Sequence, residues 1–145
     1  MAVSPSLIAE AIRWRRDFHA CPELGYQEQE TSRRVAELLA SFGLQVHSGL
    51  AGTGVVATLE NGPGPVIGLR ADMDALPITE QSDVDYKSRN PGVMHACGHD
   101  IHTTALLSLC DFLDHTRDSW SGTFVALFQP GEETSEGAMS MVDDD

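Results

Sequence analysis

The stretch that decides the fold is Thr123-Phe124-Val125-Ala126-Leu127-Phe128, preceded by Gly122. Its side chains are apolar on both faces of an extended chain, which is typical of a central strand covered by helices. Amphipathic helical patterns lie elsewhere in the sequence and can supply that cover. We therefore predict an α/β domain in which a sheet is layered with helices.

Working outward, the apolar spacing predicts helices at residues 5–19, about 28–42, from near His99 to Leu113, and from Gly137 to Val142. Two short apolar runs, 55–59 and 66–69, are joined by Asn-Gly-Pro-Gly at 61–64. This turn chemistry predicts that the two runs pair as a β-hairpin. Residues 71–93 are polar and irregular.

The chain of 145 residues has a net charge of −13 and three cysteines. The acidic balance argues against nucleic acid and against an anionic membrane surface as partners. No apolar run approaches the ~20 residues that span a bilayer, and no signal peptide is visible, so we predict a cytoplasmic protein. An odd, sparse set of cysteines does not favour a disulfide framework.

Asp72 and Asp74 follow the predicted strand at 66–69 and form the first candidate cluster. Carboxylates two residues apart in an extended segment point to the same side. Such a pair is costly unless a cation or hydrogen-bond donors lie beside it. The alternative is a solvated acidic loop.

The second cluster is MHACGHDIH at 94–102, in which Cys97 and His99 can reach one metal ion from a tight turn. Thiolate and imidazole suit zinc and the later first-row divalent ions. Asp100 is placed to orient an imidazole from behind. The alternatives are incidental histidines at a helix start, or a reactive cysteine there. His19, His47 and His115 are isolated and are interpreted as ordinary histidines.

The third cluster is the pair Glu132-Glu133, just past the predicted central strand. Adjacent side chains diverge, so one glutamate can bind a metal while the other faces a substrate and moves a proton. Taken alone, the pair favours a solvated loop, and its weight as a site comes from its combination with Cys97 and His99.

Four stretches in this order, at 15–31, 68–80, 94–107 and 128–142, resemble the M20 family of metallopeptidases and aminoacylases. They are most similar to its amidohydrolase branch, which includes hippurate hydrolases, N-acyl-amino-acid amidohydrolases and auxin-conjugate hydrolases. The resemblance implies a zinc-exopeptidase-like catalytic domain with a mixed sheet flanked by helices. It also implies hydrolysis of the amide bond of an N-acyl amino acid, with one or two divalent ions.

Carried over by position, the resemblance implies metal ligation by Cys97, His99 and Glu133, and a general base at Glu132. Asp74 matches an acidic family position near the site, so the resemblance implies that it is a catalytic residue that supports Glu132. Residues expected to support the ligands from behind are Asp72, Asp100 and His102. The mixed sulfur, nitrogen and oxygen donors admit zinc, manganese, cobalt or nickel.

The sequence departs from the family pattern beyond these motifs. The remaining family ligands are histidines downstream, whereas the last histidine here is His115. We therefore expect residues 1–145 to be the N-terminal portion of a truncated catalytic domain, without the dimerisation domain, so that a homodimer is expected only for the complete protein. Gly131 stands where the family more often has alanine. Two other functions stay open, a non-catalytic metal-binding fragment and a thiol-based redox or regulatory protein that uses Cys97.

Overall fold

The computed structural model describes residues 3–144, so Asp145 lies outside them. The helices are α1 (Pro5–Ala20), α2 (Gln29–Ser41), α3 (His99–His115) and α4 (Gly137–Asp143), and the strands are β1 (Gln45–Leu50), β2 (Gly54–Asn61), β3 (Val66–Asp72) and β4 (Gly122–Gln129). Every helix predicted from the sequence is confirmed, with bounds that agree to within two residues. Among the described residues, no helix combines the length and the apolar character that crossing a bilayer requires.

The described residues form a four-stranded mixed sheet in the order β1-β2-β4-β3. β4 pairs antiparallel with β2 and parallel with β3, so the strand predicted to be central is an inner strand flanked on both sides. The predicted hairpin between β2 and β3 is wrong, because β4 lies between these two strands. β1, which pairs with β2 at the opposite edge, was not predicted from the sequence.

The turn at 61–64 exists, but it passes over the start of β4 instead of closing a hairpin. The backbone of Thr123 donates to the carbonyl oxygen of Pro65 at 2.9 Å. A Cβ atom on Gly64 would lie 2.8 Å from the Cα atom of Gly122, and one on Gly122 would lie 2.3 Å from Pro65 O. Glycine at both positions therefore allows the connection to span two strand spacings, roughly 10 Å.

The core lies between one face of the sheet and the helices α1, α2 and α3. Alternate residues of β2 and β4 point into it, and the largest of them, Phe128, is 0% exposed. The opposite face carries Val56 and Leu127 and forms a groove of about 760 Å³, bordered by α4 residues such as Met141. Within residues 3–144, the helical cover expected on both faces is therefore extensive on one face and partial on the other.

The topology brings the three candidate clusters to one end of the sheet, the end at which β3 and β4 both finish. β3 and β4 run parallel, and Asp72 is the register partner of Gln129 at their carboxyl ends. Asp74 follows the carboxyl end of β3, and Glu132 follows the carboxyl end of β4. Functional loops of α/β sheets usually lie at this end of the strands. α3 begins there as well, at His99.

Candidate metal centre

Cys97, His99 and Glu133 come together although they lie on three different segments. Each offers one ligand atom, and these atoms lie within 4.8 Å of one another. Gly98, between the first two residues, has φ +87°, a left-handed conformation that turns the chain into α3. The structure thus brings together the three residues that the sequence analysis predicted to bind metal.

The imidazole of His99 is buried and held by Asp74. Its Nδ1 atom lies 3.0 Å from the backbone oxygen of Asp74 and 3.2 Å from Oδ1 of the same residue. The Nδ1–H group donates to these acceptors, which leaves Nε2 to face the other carboxylates. Burial by itself lowers the pKa of His99, but the hydrogen bond that His99 donates to Asp74 and the charges of Asp72 and Asp74 raise that pKa above its ordinary value.

Asp74 also holds the loop of residues 130–136, here called the glutamate loop, which contains Glu132 and Glu133. Its second oxygen, Oδ2, accepts a hydrogen bond of 2.9 Å from the backbone N–H of Glu133. Burial tends to raise the pKa of Asp74, yet the bonds from His99 and from Glu133 N–H together keep it below its usual value. A single buried carboxylate therefore positions two of the three candidate ligands.

Glu132 and Glu133 both reach the open side of His99. Oε2 of Glu132 lies 3.7 Å from Nε2 of His99, and Oε1 of Glu133 lies 3.9 Å from the same nitrogen. The two side chains diverge less than we expected, because Glu132–Thr134 form a tight 3₁₀ turn and not an extended segment. The side chain of Glu132 is 37% exposed, so it is accessible to a substrate and to water.

Cys97 is exposed at this site, and its thiol is surrounded by acidic groups. Desolvation, the hydrogen bond with Glu133, and the charges of Glu133, Glu132 and Asp72 raise the pKa of Cys97. This electrostatic setting favours the thiol over the thiolate, which argues against the redox alternative. A cation among the acidic groups would reverse that preference.

Asp72 and His102 form a second, neighbouring group of donors with His99. Oδ1 of Asp72 lies 2.7 Å from Nδ1 of His102, and Oδ2 accepts from Arg70 at 2.9 Å. Arg70 also donates to the side chain of Gln129. Arg70 was not among the predicted site residues, and the signal that the sequence carried is its position two residues before Asp72, near the end of β3.

Asp100 faces away from the three candidate ligands. Its Oδ2 atom lies 2.7 Å from Nδ1 of His19 and 3.0 Å from Nε of Arg15. The imidazole that Asp100 contacts is therefore that of His19, while His99 is held by Asp74. His19 is itself buried and also contacts Glu80, at 3.0 Å, so it is an ordinary core histidine, one of the two settings that the sequence suggested for it.

The donor set fits a divalent ion. A tetrahedral ion with bonds of ~2.1 Å has its ligand atoms ~3.4 Å apart, so atoms within 4.8 Å need only small side-chain movements to meet it. Mixed sulfur, nitrogen and oxygen donors suit zinc and its first-row neighbours. The imidazole is already oriented from behind by a carboxylate, as in characterised metal sites.

Several known proteins are similar to this chain in sequence. The chain is 47% identical over 129 residues to the N-acyl-L-amino acid amidohydrolase of Geobacillus stearothermophilus, covering 88% of this chain and 35% of that protein. It is 46% identical over 129 residues to IAA-amino acid hydrolase ILR1-like 5 of Arabidopsis thaliana, covering 89% and 30%. The chain thus spans about a third of the length of these curated relatives.

Among solved structures, the fold matches the Bacillus subtilis YXEP protein, described as a dinuclear metal binding peptidase from the M20 family. The TM-score is 0.90 at 38% identity, covering 96% of this chain and 39% of that one. The model of peptidase family M20/M25/M40 matches residues 68–145, more than half of the sequence and all three acidic or metal-binding clusters. The chain therefore belongs to the peptidase family M20/M25/M40.

Proposed function

We propose that the protein is a metal-dependent amidohydrolase that cleaves the amide bond of N-acyl amino acids, including hippurate-like conjugates. The observation that carries this proposal is the buried Asp74 carboxylate, which fixes both His99 and the loop of Glu132 and Glu133. The relatives named for N-acyl-L-amino acids and for IAA-amino acids support the substrate class. Both names describe an acyl group joined to an amino acid.

We assign the metal site to Cys97, His99 and Glu133, with Asp72 and His102 beside it. A divalent ion held there supplies Lewis acidity and makes a water molecule nucleophilic near neutral pH. The description of the YXEP protein as dinuclear supports two ions. Zinc, manganese, cobalt and nickel all suit these donors.

Glu132 is the general base in this proposal. Its carboxylate is accessible and lies on the open side of His99, so it can take a proton from water and deliver it to the leaving amine. Asp74 keeps the Nδ1–H group of His99 occupied, which leaves Nε2 free to bind. Asp72 is held by Arg70 and His102, and these bonds fix its orientation beside the site.

The test is Glu132→Gln, compared with Glu136→Gln as an exposed control in the same loop. In the complete protein, we expect Glu132→Gln to abolish hydrolysis of an N-acyl amino acid and to leave the bound metal, counted by elemental analysis, nearly unchanged; residues 1–145 alone are expected to show little or no turnover. The Glu136→Gln control should keep both the hydrolytic activity and the bound metal. Turnover retained by Glu132→Gln would remove Glu132 from this role, and metal binding without any turnover by the parent would favour a non-catalytic metal-binding protein.

The assignment of residues 1–145 to the N-terminal portion of a larger catalytic domain stays a prediction. So does the homodimer expected for the complete protein. The measurement that tests both is the mass and oligomeric state of the protein isolated from its native source.

A further inference from the structure

The turn at 23–28 lies behind the glutamate loop and has no part in the proposed chemistry. Its last residue, Glu28, is 0% exposed. The Glu28 carboxylate accepts from the hydroxyl of Thr53 at 2.7 Å and from the backbone N–H of Gly131 at 2.9 Å. A buried carboxylate is costly unless such bonds satisfy it, so its presence here requires a structural reason.

Capping of α2 is not that reason. Glu28 occupies the N-cap position, yet its side chain makes no capping hydrogen bond. The first turn of the helix is served by Glu23, which accepts from the backbone of Glu30 at 3.1 Å and of Thr31 at 2.8 Å. The carboxylate of Glu28 is therefore committed to Thr53 and to the loop that contains Gly131.

Gly131 is the residue immediately before Glu132, and its φ of +57° begins the tight turn. On the other side of Glu132, the N–H group of Glu133 donates to Asp74. The backbone N–H groups on both sides of the proposed general base thus donate to buried carboxylates, one just past the end of β3 and one at the start of α2.

Tyr26 supports the same loop from the same turn. It has φ +62°, a strained conformation for a residue with a side chain. Its ring lies against Gly131, since a Cβ atom there would be 2.8 Å from the ring edge. Its hydroxyl lies 3.1 Å from that of Ser140 in α4. Strain of this kind persists only where the surrounding structure fixes it.

We infer that Glu28 is a positioning residue that fixes the backbone in front of Glu132 and thereby aims the carboxylates of Glu132 and Glu133 at His99. The effect on catalysis rests on the proposed function, whereas the hold on the loop rests on the geometry alone. The test therefore needs a readout that does not depend on turnover.

The test compares Glu28→Ala with Glu23→Ala, which removes a carboxylate from the same turn without touching the glutamate loop. In Glu28→Ala we expect amide exchange of residues 130–136 to quicken by about tenfold, because the bond to Gly131 is lost. We expect Zn²⁺ affinity, measured by titration of the protein with Zn²⁺ alone, to fall by about tenfold to a hundredfold, as for other residues that position ligands. Any turnover should fall in kcat more than in KM.

The Glu23→Ala control should lower stability through α2 and leave exchange at 130–136 and Zn²⁺ affinity near those of the parent. Unchanged exchange and Zn²⁺ affinity in a folded Glu28→Ala variant would overturn the inference. If Glu28→Ala does not fold, amide exchange measured in the parent tests the inference instead. An unprotected Gly131 amide would contradict its bond to Glu28, and a protected one would agree with that bond. Loss of the proposed function would appear separately, as a parent that binds Zn²⁺ and hydrolyses no N-acyl amino acid.

Discussion

Asp74 makes two side-chain contacts, one through each of its carboxylate oxygens. In Asp74→Asn, the amide oxygen can still accept from His99, but the amide nitrogen then faces the N–H group of Glu133, donor against donor. We expect divalent-metal affinity to fall by about tenfold to a hundredfold. Asp118→Asn, at an exposed surface aspartate, is the control for the titration. Equal affinities for Asp74→Asn and the parent would contradict this role.

Gly131 is a second residue whose replacement should affect stability, because its position leaves no room for a Cβ atom. An added Cβ atom meets both a left-handed backbone and the ring of Tyr26. We expect Gly131→Ala to lower the free energy of unfolding, measured in urea, by more than the ~1–2 kcal/mol of the backbone strain alone. Gly52→Ala is the matched control, because Gly52 has φ +86° and nothing within 4 Å of the added atom. Equal losses in the two variants would show that Tyr26 simply moves aside.

The sequence allowed candidate ligands to be chosen, but it did not show which partners their side chains contact. Cys97, His99 and Glu133 could be chosen because their side chains have metal-binding chemistry and lie in recognisable motifs. The partners of Asp100 and Glu28 lie 81 and 103 residues away along the chain, and no local pattern reports such contacts. Only the fold shows that Asp100 serves His19 and that Asp74 serves His99.

At the scale of elements, the segment between β3 and α3 is anchored to α1 by Glu80. Burial tends to raise the pKa of Glu80, but hydrogen bonds from Ser82, from the backbone of Ser88 and from His19 hold it at about 2, below the ordinary 4.5. A carboxyl group with a lowered pKa in the folded state stabilises the fold above its unfolded pKa. That contribution is lost as the pH falls through the folded value.

We therefore expect the stability of the parent to decline between about pH 4.5 and pH 2 as Glu80 becomes protonated. Glu80→Gln should be less stable at pH 7 and show a flatter pH dependence in this window, measured by denaturant unfolding. Glu60→Gln, at an exposed glutamate of β2, should follow the parent. Parallel pH profiles for the parent and Glu80→Gln would contradict the anchoring role.

The elements themselves were predictable where one face is apolar. The helices carry amphipathic patterns, and β4 is apolar on both faces, so these elements could be located from the sequence. β1 lies at the sheet edge with a mostly exposed pattern and carries no such signal. The pairing of β2 with β3 was mispredicted because turn residues report a reversal of direction and not which strand lies alongside.

At the scale of the whole molecule, β3 is the outermost strand on its side of the described sheet, and the first half of the strand exposes apolar side chains. Val66 is 71% exposed, Ile67 55% and Leu69 46%. An edge strand with unpaired backbone groups and exposed apolar side chains is a template for association. The net charge of −13 opposes that association through long-range repulsion.

We expect the chain to self-associate in a salt-dependent manner, since salt screens the repulsion and leaves the strand edge unchanged. Ile67→Lys should reduce the association, measured by sedimentation velocity. Ile12→Lys changes the net charge equally at a similarly exposed isoleucine, 50% against 55%, but on a helix whose backbone is already paired. Equal effects of the two variants would assign the association to net charge and not to the edge of β3.

The position of β4 between β2 and β3 has a consequence for folding kinetics. β2 and β3 are close in sequence and joined by a turn that favours a hairpin, and a hairpin forms in roughly 1–10 μs. β4 follows about 50 residues later and must insert between them, so early pairing of β2 with β3 has to be undone. We expect refolding to show a populated intermediate, seen as rollover of the folding rate at low denaturant. Replacing Asn61-Gly62 with residues that disfavour the turn should speed the separation of β2 from β3. The same change should lower the stability of the native connection that passes over β4. A single linear folding limb in the parent would contradict this pathway.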